Sequence, residues 1–313
     1  MNKLILWLSG ILALQLVIAV SLKGEVWQPD TSDISQTIFD FDSNQIDKID
    51  IKDGEQTLSL VKSSGQWVLP DYHQSPVDQN KLNEVKDKLL SLQSGWPVAT
   101  TQASHQRFEV AENSFQRHVK LFSKEQVLGE VYLGTSPGFR QVHYRLPDQE
   151  SVYTGELNVY DFPVGQEAWM DKKLLAVKTI EQIQGADFTL SKEQEDWSFS
   201  AVNQTQEHIN SELDKDKAQE LVNAFSKLNV TKISEKKPTA KGVELAVVEN
   251  GKTYHYRFVE ENEDYFVSRD DKPHMFNISK YEYEKFAGAQ YQELAKQVEQ
   301  PESEAKTNTE SNS

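Results

Sequence analysis

One train of local signals occurs twice in this chain, so whatever fold it specifies has to be built twice. Behind Asp78, a residue type that caps helices, Leu82, Val85, Leu89 and Leu92 recur at helical spacing. Behind Asp214, the residues Ala218, Leu221, Phe225 and Leu228 take the same places, and Val77-Asp78 matches Leu213-Asp214 position for position. Each helix follows a stretch in which apolar and polar residues alternate. The first, 46–69, turns at Asp53-Gly54 and ends in a short strand carrying Trp67; the second, 177–199, has the same rhythm and ends at Trp197. Period-two alternation between glycine and polar turns predicts antiparallel strands with one face buried.

The pattern after each helix also repeats. The first copy predicts strands over 119–122, 127–134, 142–146 and 151–154, then a short helix over 156–162. The second predicts strands over 243–248, 253–259, 265–268 and 275–278, with Asn250-Gly251 as a type I′ turn, then a short helix over 279–286. Three strands, a helix, four strands and a short helix make an α+β unit, an antiparallel sheet with helices packed on one face. The expected organisation is an anchor over 1–23, a linker over 24–45, a first repeat over 46–175, a second over 176–296 and a disordered tail over 297–313 that lacks apolar periodicity. The copies differ most between long helix and hairpin, where 93–116 is a long insert and 231–241 a shorter lysine-rich link. Divergence of this kind marks the insert as a candidate contact surface.

Leu4 to Leu22 is an uncharged apolar run between Lys3 and Lys23. As a helix its 19 residues rise roughly 28 Å, about the thickness of a bilayer's hydrocarbon core. Lys3 precedes it, while Glu25, Asp30, Asp33, Asp40 and Asp42 follow, so the positive-inside rule puts the N-terminus in the cytoplasm and the rest outside the membrane. The competing reading is a signal peptide cleaved near Ala19-Val20-Ser21; the run is longer than a usual signal core, which favours the anchor. A formal charge of -16 argues against a nucleic acid partner, which needs a basic face to release counterions. The absence of cysteine excludes disulfides, thiolate catalysis and thiolate metal sites.

Gly65-Gln66-Trp67, Asp78 opening a helix with Leu89-Leu90 and Leu92, Val131-Tyr132-Leu133-Gly134, Val142-His143-Tyr144-Arg145, Val152-Tyr153, and Trp169, Asp171, Leu174 and Leu175 follow in an order that resembles the domain of unknown function 4340 family. The second copy resembles a degenerate repeat of the same pattern. The resemblance implies a bacterial envelope-anchored protein, often found beside an ABC-type transporter and a gliding-motility-type auxiliary protein. It brings no catalytic residues to carry over.

The residues themselves offer little chemistry. None of the seven histidines, His73, His105, His118, His143, His208, His255 and His274, forms a close metal-ligand spacing. His118 and His143 lie on predicted strands that a sheet could bring together. No nucleophile elbow or Walker loop occurs, and the glycines of 133–138 join two strands, the place of a hairpin turn and not of a phosphate cradle. The acidic run 260–264 lacks the alternation of a calcium loop. One patch stands out against the acidic background: Phe139, Arg140, His143 and Arg145, a cationic and aromatic strip fit for a carboxylate, a glycan or a partner's acidic loop. No cofactor is expected. The reading is a non-enzymatic accessory protein of the bacterial inner membrane, single-pass, with its repeats in the periplasm or otherwise extracytoplasmic, in contact with a transporter complex. The alternative is a ligand-binding or hydrolytic domain acting on envelope glycans or peptides, with its site near Trp169 and Asp171.

Overall fold

The structure is a computed structural model that describes Trp7, 10–15, 36–194, 196–202 and 212–296. The apolar segment 4–22 thus lies largely outside the described residues, as do most of the expected linker and the tail over 297–313. Trp7 and 10–15 are helical, and among the described residues no helix is long and apolar enough to cross a membrane. The architecture is α+β, dominated by two large antiparallel sheets. Contacts divide it into two compact units, one of the residues up to 73 with 79–166, the other of 74–78 with the residues from 167 onward.

The first unit contains β1 (Lys48–Lys52), β2 (Thr57–Ser63), β3 (Gln66–Leu69), the helix α1 (Gln79–Leu90), then α2 (Gln102–Arg107), β4 (Val110–Ala111) and β5 (Ser114–Phe115). After these come β6 (Arg117–Ser123), β7 (Gln126–Leu133), β8 (Val142–Arg145) and β9 (Tyr153–Gly155). Seven of these strands lie side by side in the order β9-β8-β7-β6-β1-β2-β3. Ile49 sits between Leu60 and Leu121, and Ile51 between Leu58 and Val119, all of them buried. This row is the floor of the core, and Leu82, Val85 and Leu89 of α1 are buried with it.

The alternate residues Lys48, Asp50, Lys52, His118, Lys120, Glu130 and Tyr132 belong to the opposite face of the sheet. The insert does not run as an open loop here. Its α2 helix and β4–β5 hairpin bury Val110 with Tyr132 and Val152, and Ala99, Phe108 and Phe115 pack around them. Gly134 is required by this contact, since a Cβ there would meet the Phe108 carbonyl oxygen at 1.9 Å.

The second unit contains β10 (Ile180–Gln184), β11 (Phe188–Glu193), β12 (Asp196–Ala201), α3 (Lys215–Ser226), β13 (Lys232–Ile233), β14 (Val243–Glu249), β15 (Lys252–Glu261), β16 (Asp264–Arg269), β17 (Phe276–Ile278), α4 (Lys280–Ala287) and the short α5 (Tyr291–Leu294). Its eight strands run β12-β11-β10-β14-β15-β16-β17-β13. The order of the three strands before the long helix and the four after it is therefore the same in both sheets. Asp214 caps α3, its Oδ1 accepting from the backbone N–H groups of Asp216 and Lys217 at 3.0 and 3.1 Å. Phe225 of α3 and Phe286 of α4 meet the ring of Phe258 on β15, at 6.3 and 4.0 Å between centroids. The segment before each helix makes an equivalent bridge, Val77 to Met170 and Leu213 to Ala295.

Tight two-residue turns join many of the strands. Asn250-Gly251 has φ of 50° and 73°, the left-handed pair that a type I′ turn demands and that the dipeptide predicts. The corresponding turn between β6 and β7 is Lys124-Glu125, at 47° and 69°, two residues ill suited to that region. Replacing Lys124-Glu125 by Asn-Gly should stabilise the fold by about 1 kcal/mol, relieving strain at both positions against the greater unfolded-state freedom of glycine. Urea midpoints of the two proteins, at unchanged slope, would measure it.

Candidate binding site

The strip expected over 139–145 is two structures, not one. Strand β8 begins only at Val142, and Phe139 and Arg140 occupy the preceding loop, where Arg140 has φ of 54°. Phe139 is 88% exposed, with the Arg140 guanidinium 5.1 Å from its ring centre. His143 and Arg145, by contrast, are buried. The turn separates the first two residues of the strip from the strand, so only His143 and Arg145 share a face.

The Arg145 guanidinium is spent inside the unit. It donates to the carbonyls of Val110 at 2.8 Å, Leu146 at 3.0 Å, Pro147 at 2.8 Å and Gln149 at 3.2 Å, and lies 4.8 Å from the Tyr132 ring centre. It is a pin for the chain around it and has little left for a ligand. His143 Nδ1 lies 2.9 Å from the Thr135 carbonyl oxygen, which can only accept, so that nitrogen carries a proton. Burial holds the His143 pKa below the ordinary histidine value, partly offset by this hydrogen bond. His118, on the far side of β7, places Nε2 2.6 Å from Glu130 Oε1 and stacks on Tyr132 at 4.3 Å. Burial lowers its pKa too, against the pull of the Glu130 carboxylate.

Phe139 and Arg140 form one rim of a groove of about 770 Å³ beside α1. Its other walls are Glu84, Lys88, Glu156, Leu157, Asn158 and Asp161. Lys88 Nζ bridges Glu84 and Asp161 at 2.8 Å each, which raises its pKa, Asp161 contributing most. The second unit has a groove of about 500 Å³ in the corresponding place, between α3 and α4, with Glu220, Leu221 and Ala224 on one wall and Tyr281 and Lys285 on the other. Glu84 and Glu220 stand six residues after Asp78 and Asp214. A charged wall and an exposed aromatic rim thus recur in both units, but the short helix expected over 156–162 is a single 3-10 turn, Val159–Asp161, where the second unit has the full helix α4. The sequence shows the helices but not the grooves, which depend on how far each short helix stands from its long one.

The second unit has its own buried arginine, which the sequence reading passed over. Arg269 forms a two-pronged ion pair with Asp271, at 2.5 and 3.0 Å, and donates to the carbonyls of Leu175 at 3.0 Å and Leu174 at 3.3 Å. Tyr256 joins it, its hydroxyl 2.6 Å from the Leu175 carbonyl, and burial pushes its pKa up to about 12. In the acidic run 260–264, Glu261 accepts from the N–H groups of Thr239 and Ala240 at 2.9 and 3.0 Å, and Asp264 pairs with Lys236. Those carboxylates hold the 231–241 link. Among the described residues no group of three or more histidine or acidic side chains is placed to hold a metal ion. Trp169 is wholly buried, so its ring is not available to stack on a sugar.

The family model for a domain of unknown function, DUF4340, matches residues 67–246, more than half of the chain. The chain belongs to this family. No curated protein and no solved structure matches it. The DUF4340 match begins at the buried Trp67 and ends in β14 of the second unit, so it takes in parts of both sheets. Its Leu174-Leu175 dipeptide presents the two carbonyls that Arg269 grips, and its Gly134 admits the insert backbone.

Arg145→Met keeps most of the apolar stem but strips four carbonyls of a charged donor. It should cost about 3 kcal/mol of stability in chemical denaturation. Arg140→Met, in the exposed loop, should leave the midpoint unchanged.

Proposed function

We propose that this DUF4340 protein is a non-enzymatic, membrane-anchored accessory protein of the bacterial envelope, held in the inner membrane by 4–22. Its two sheet units would be duplicated binding platforms that contact a transporter complex. One contrast carries the reading: two arginines and a histidine with chemical potential turn inward, while three aromatic side chains turn outward. Arg145, Arg269 and His143 are buried and bonded within their units, while Phe139, Tyr160 and Tyr281 are 88%, 81% and 71% exposed. Phe139 and Tyr281 stand at the rims of the two grooves. Exposed aromatic side chains, with an arginine such as Arg140 beside one of them, are what protein interfaces select. The acidic surface supports a protein partner with basic segments over a nucleic acid.

The test is capture in intact cells. A photo-crosslinking residue at position 139 of the full-length chain should trap envelope subunits identified by mass spectrometry, and Phe139→Ala with Arg140→Ala should reduce co-purification at least fivefold at unchanged thermal stability. Capture equal at position 139 and at an exposed control such as position 55, or undiminished in the double variant, would remove the groove from the proposal.

A further inference from the structure

Three of the seven histidines meet along one seam, between the insert and the outer face of the first sheet. The insert rests there on two aromatic anchors. The Phe108 ring lies 4.3 Å from the His143 ring, and the Phe115 ring 5.5 Å from the His118 ring. His105, in α2 of the insert, has Nε2 2.8 Å from the Glu150 carbonyl. Backbone bonds assist, with Thr135 N–H donating to Phe108, Val98 N–H to Val152, Val152 N–H to Ala99 and Gln116 N–H to Leu133, and Arg145 donates to the Val110 carbonyl at 2.8 Å.

The charges around this seam are unevenly placed. Arg107 of the insert already lies 5.5 Å from the Phe108 ring centre, and Arg145 lies 4.8 Å from that of Tyr132. The carboxylates are committed elsewhere or face only one histidine. Glu130 holds His118, with Lys120 3.3 Å from the same oxygen. Glu109 accepts from Gln116 at 2.7 Å, and the charge of Glu112 reaches Tyr132. His143 has the Thr135 carbonyl and hydroxyl for company, and among the described residues no carboxylate is bonded to it. A proton on His118 would still find Glu130, although burial lowers the His118 pKa as well, so His118 adds a dependence of the same sign. A proton on His143 would put a second cation on the Phe108 ring, buried and unpaired.

We propose that the insert 98–116 is a pH-sensitive cover, which lifts from the outer face of the first sheet when His143 takes up a proton. Lifting uncovers an apolar patch of Val110, Tyr132 and Val152 together with Phe108 and Phe115. The direction follows from linkage. The folded pKa of His143 lies below the open-state value of about 6.5. The open form therefore binds more protons, so the hold of the cover is complete above that value and is lost as pH falls through the lower one.

Hydrogen exchange on the purified full-length protein, corrected for intrinsic rates, tests this at pH 7.5 and 5.0. Protection over 98–116 and 134–135 should fall at least tenfold at the lower pH, while 245–268 in the second sheet keeps its protection. His143→Gln, neutral at both values, should keep at pH 5.0 most of the protection that the parent loses, the remainder being the share of His118. Equal protection of the insert in the parent protein at both values would overturn the proposal, as would equal loss in parent and variant. If the variant does not fold, the NMR titration of His143 in the parent decides. Opening with the midpoint of that titration supports the cover, and titration without opening sinks it.

Discussion

Each unit depends on a pairing between strands that are distant in sequence. Strand β1 is flanked on one side by its hairpin partner β2 and on the other by β6, which the chain reaches only after the long helix and the insert. Ile49 and Ile51 stand in the middle of that junction, and Ile183 plays the same part between Leu190 and Val247 in the second sheet. Without this pairing the chain would hold only isolated hairpins, which are marginal in water. With it, a continuous apolar floor forms for the helix to cover. Closing so long a loop is slow, but it costs little more than closing a shorter one.

The two sheets share a strand order yet place their polar residues differently, and a single extra residue explains much of it. The β6–β7 pairing shifts register between Val127 and Gly129, whereas the corresponding β14–β15 pairing runs through without a break. One extra residue transfers every later side chain to the other face. Tyr132 and Arg145 are cross-strand partners, as are Tyr256 and Arg269, and each pair is thirteen residues apart. Yet Tyr132 looks toward the insert, while Tyr256 looks toward Phe225 of the long helix. The two buried arginines have therefore become pins for different segments, the 146–149 loop in one unit and Leu174-Leu175 in the other.

This use of buried charge bears on function. An arginine inside a unit is tolerable only when its donors are met, and here backbone carbonyls, with Asp271 beside Arg269, meet them. Side chains so engaged have few donors left for a ligand. What remains available to another molecule is the aromatic rim of each groove, and the insert that roofs the outer face of the first sheet.

The sequence by itself determined the long strands, the two long helices and their order, because alternation, helical periodicity, Asp214 as a cap and Asn250-Gly251 as a turn are properties of neighbouring residues; it did not show α2, β4, β5 or β13. It could also show the repeat, since cap and apolar stripe recur together. The nearest rivals in kind, the long-range pairings, were open to it only as a class. Tertiary structure alone decided the fate of the candidate strip. Phe139, Arg140, His143 and Arg145 were expected as one cationic and aromatic strip, but a turn at 139–141 separated Phe139 and Arg140 from two residues that the insert then buried. It also turned the insert from an expected loop into a roof over His118 and His143. No local rule reveals that. A histidine's surroundings are set by chain segments that arrive from elsewhere, and a bulge of one residue settles which face of the sheet they meet.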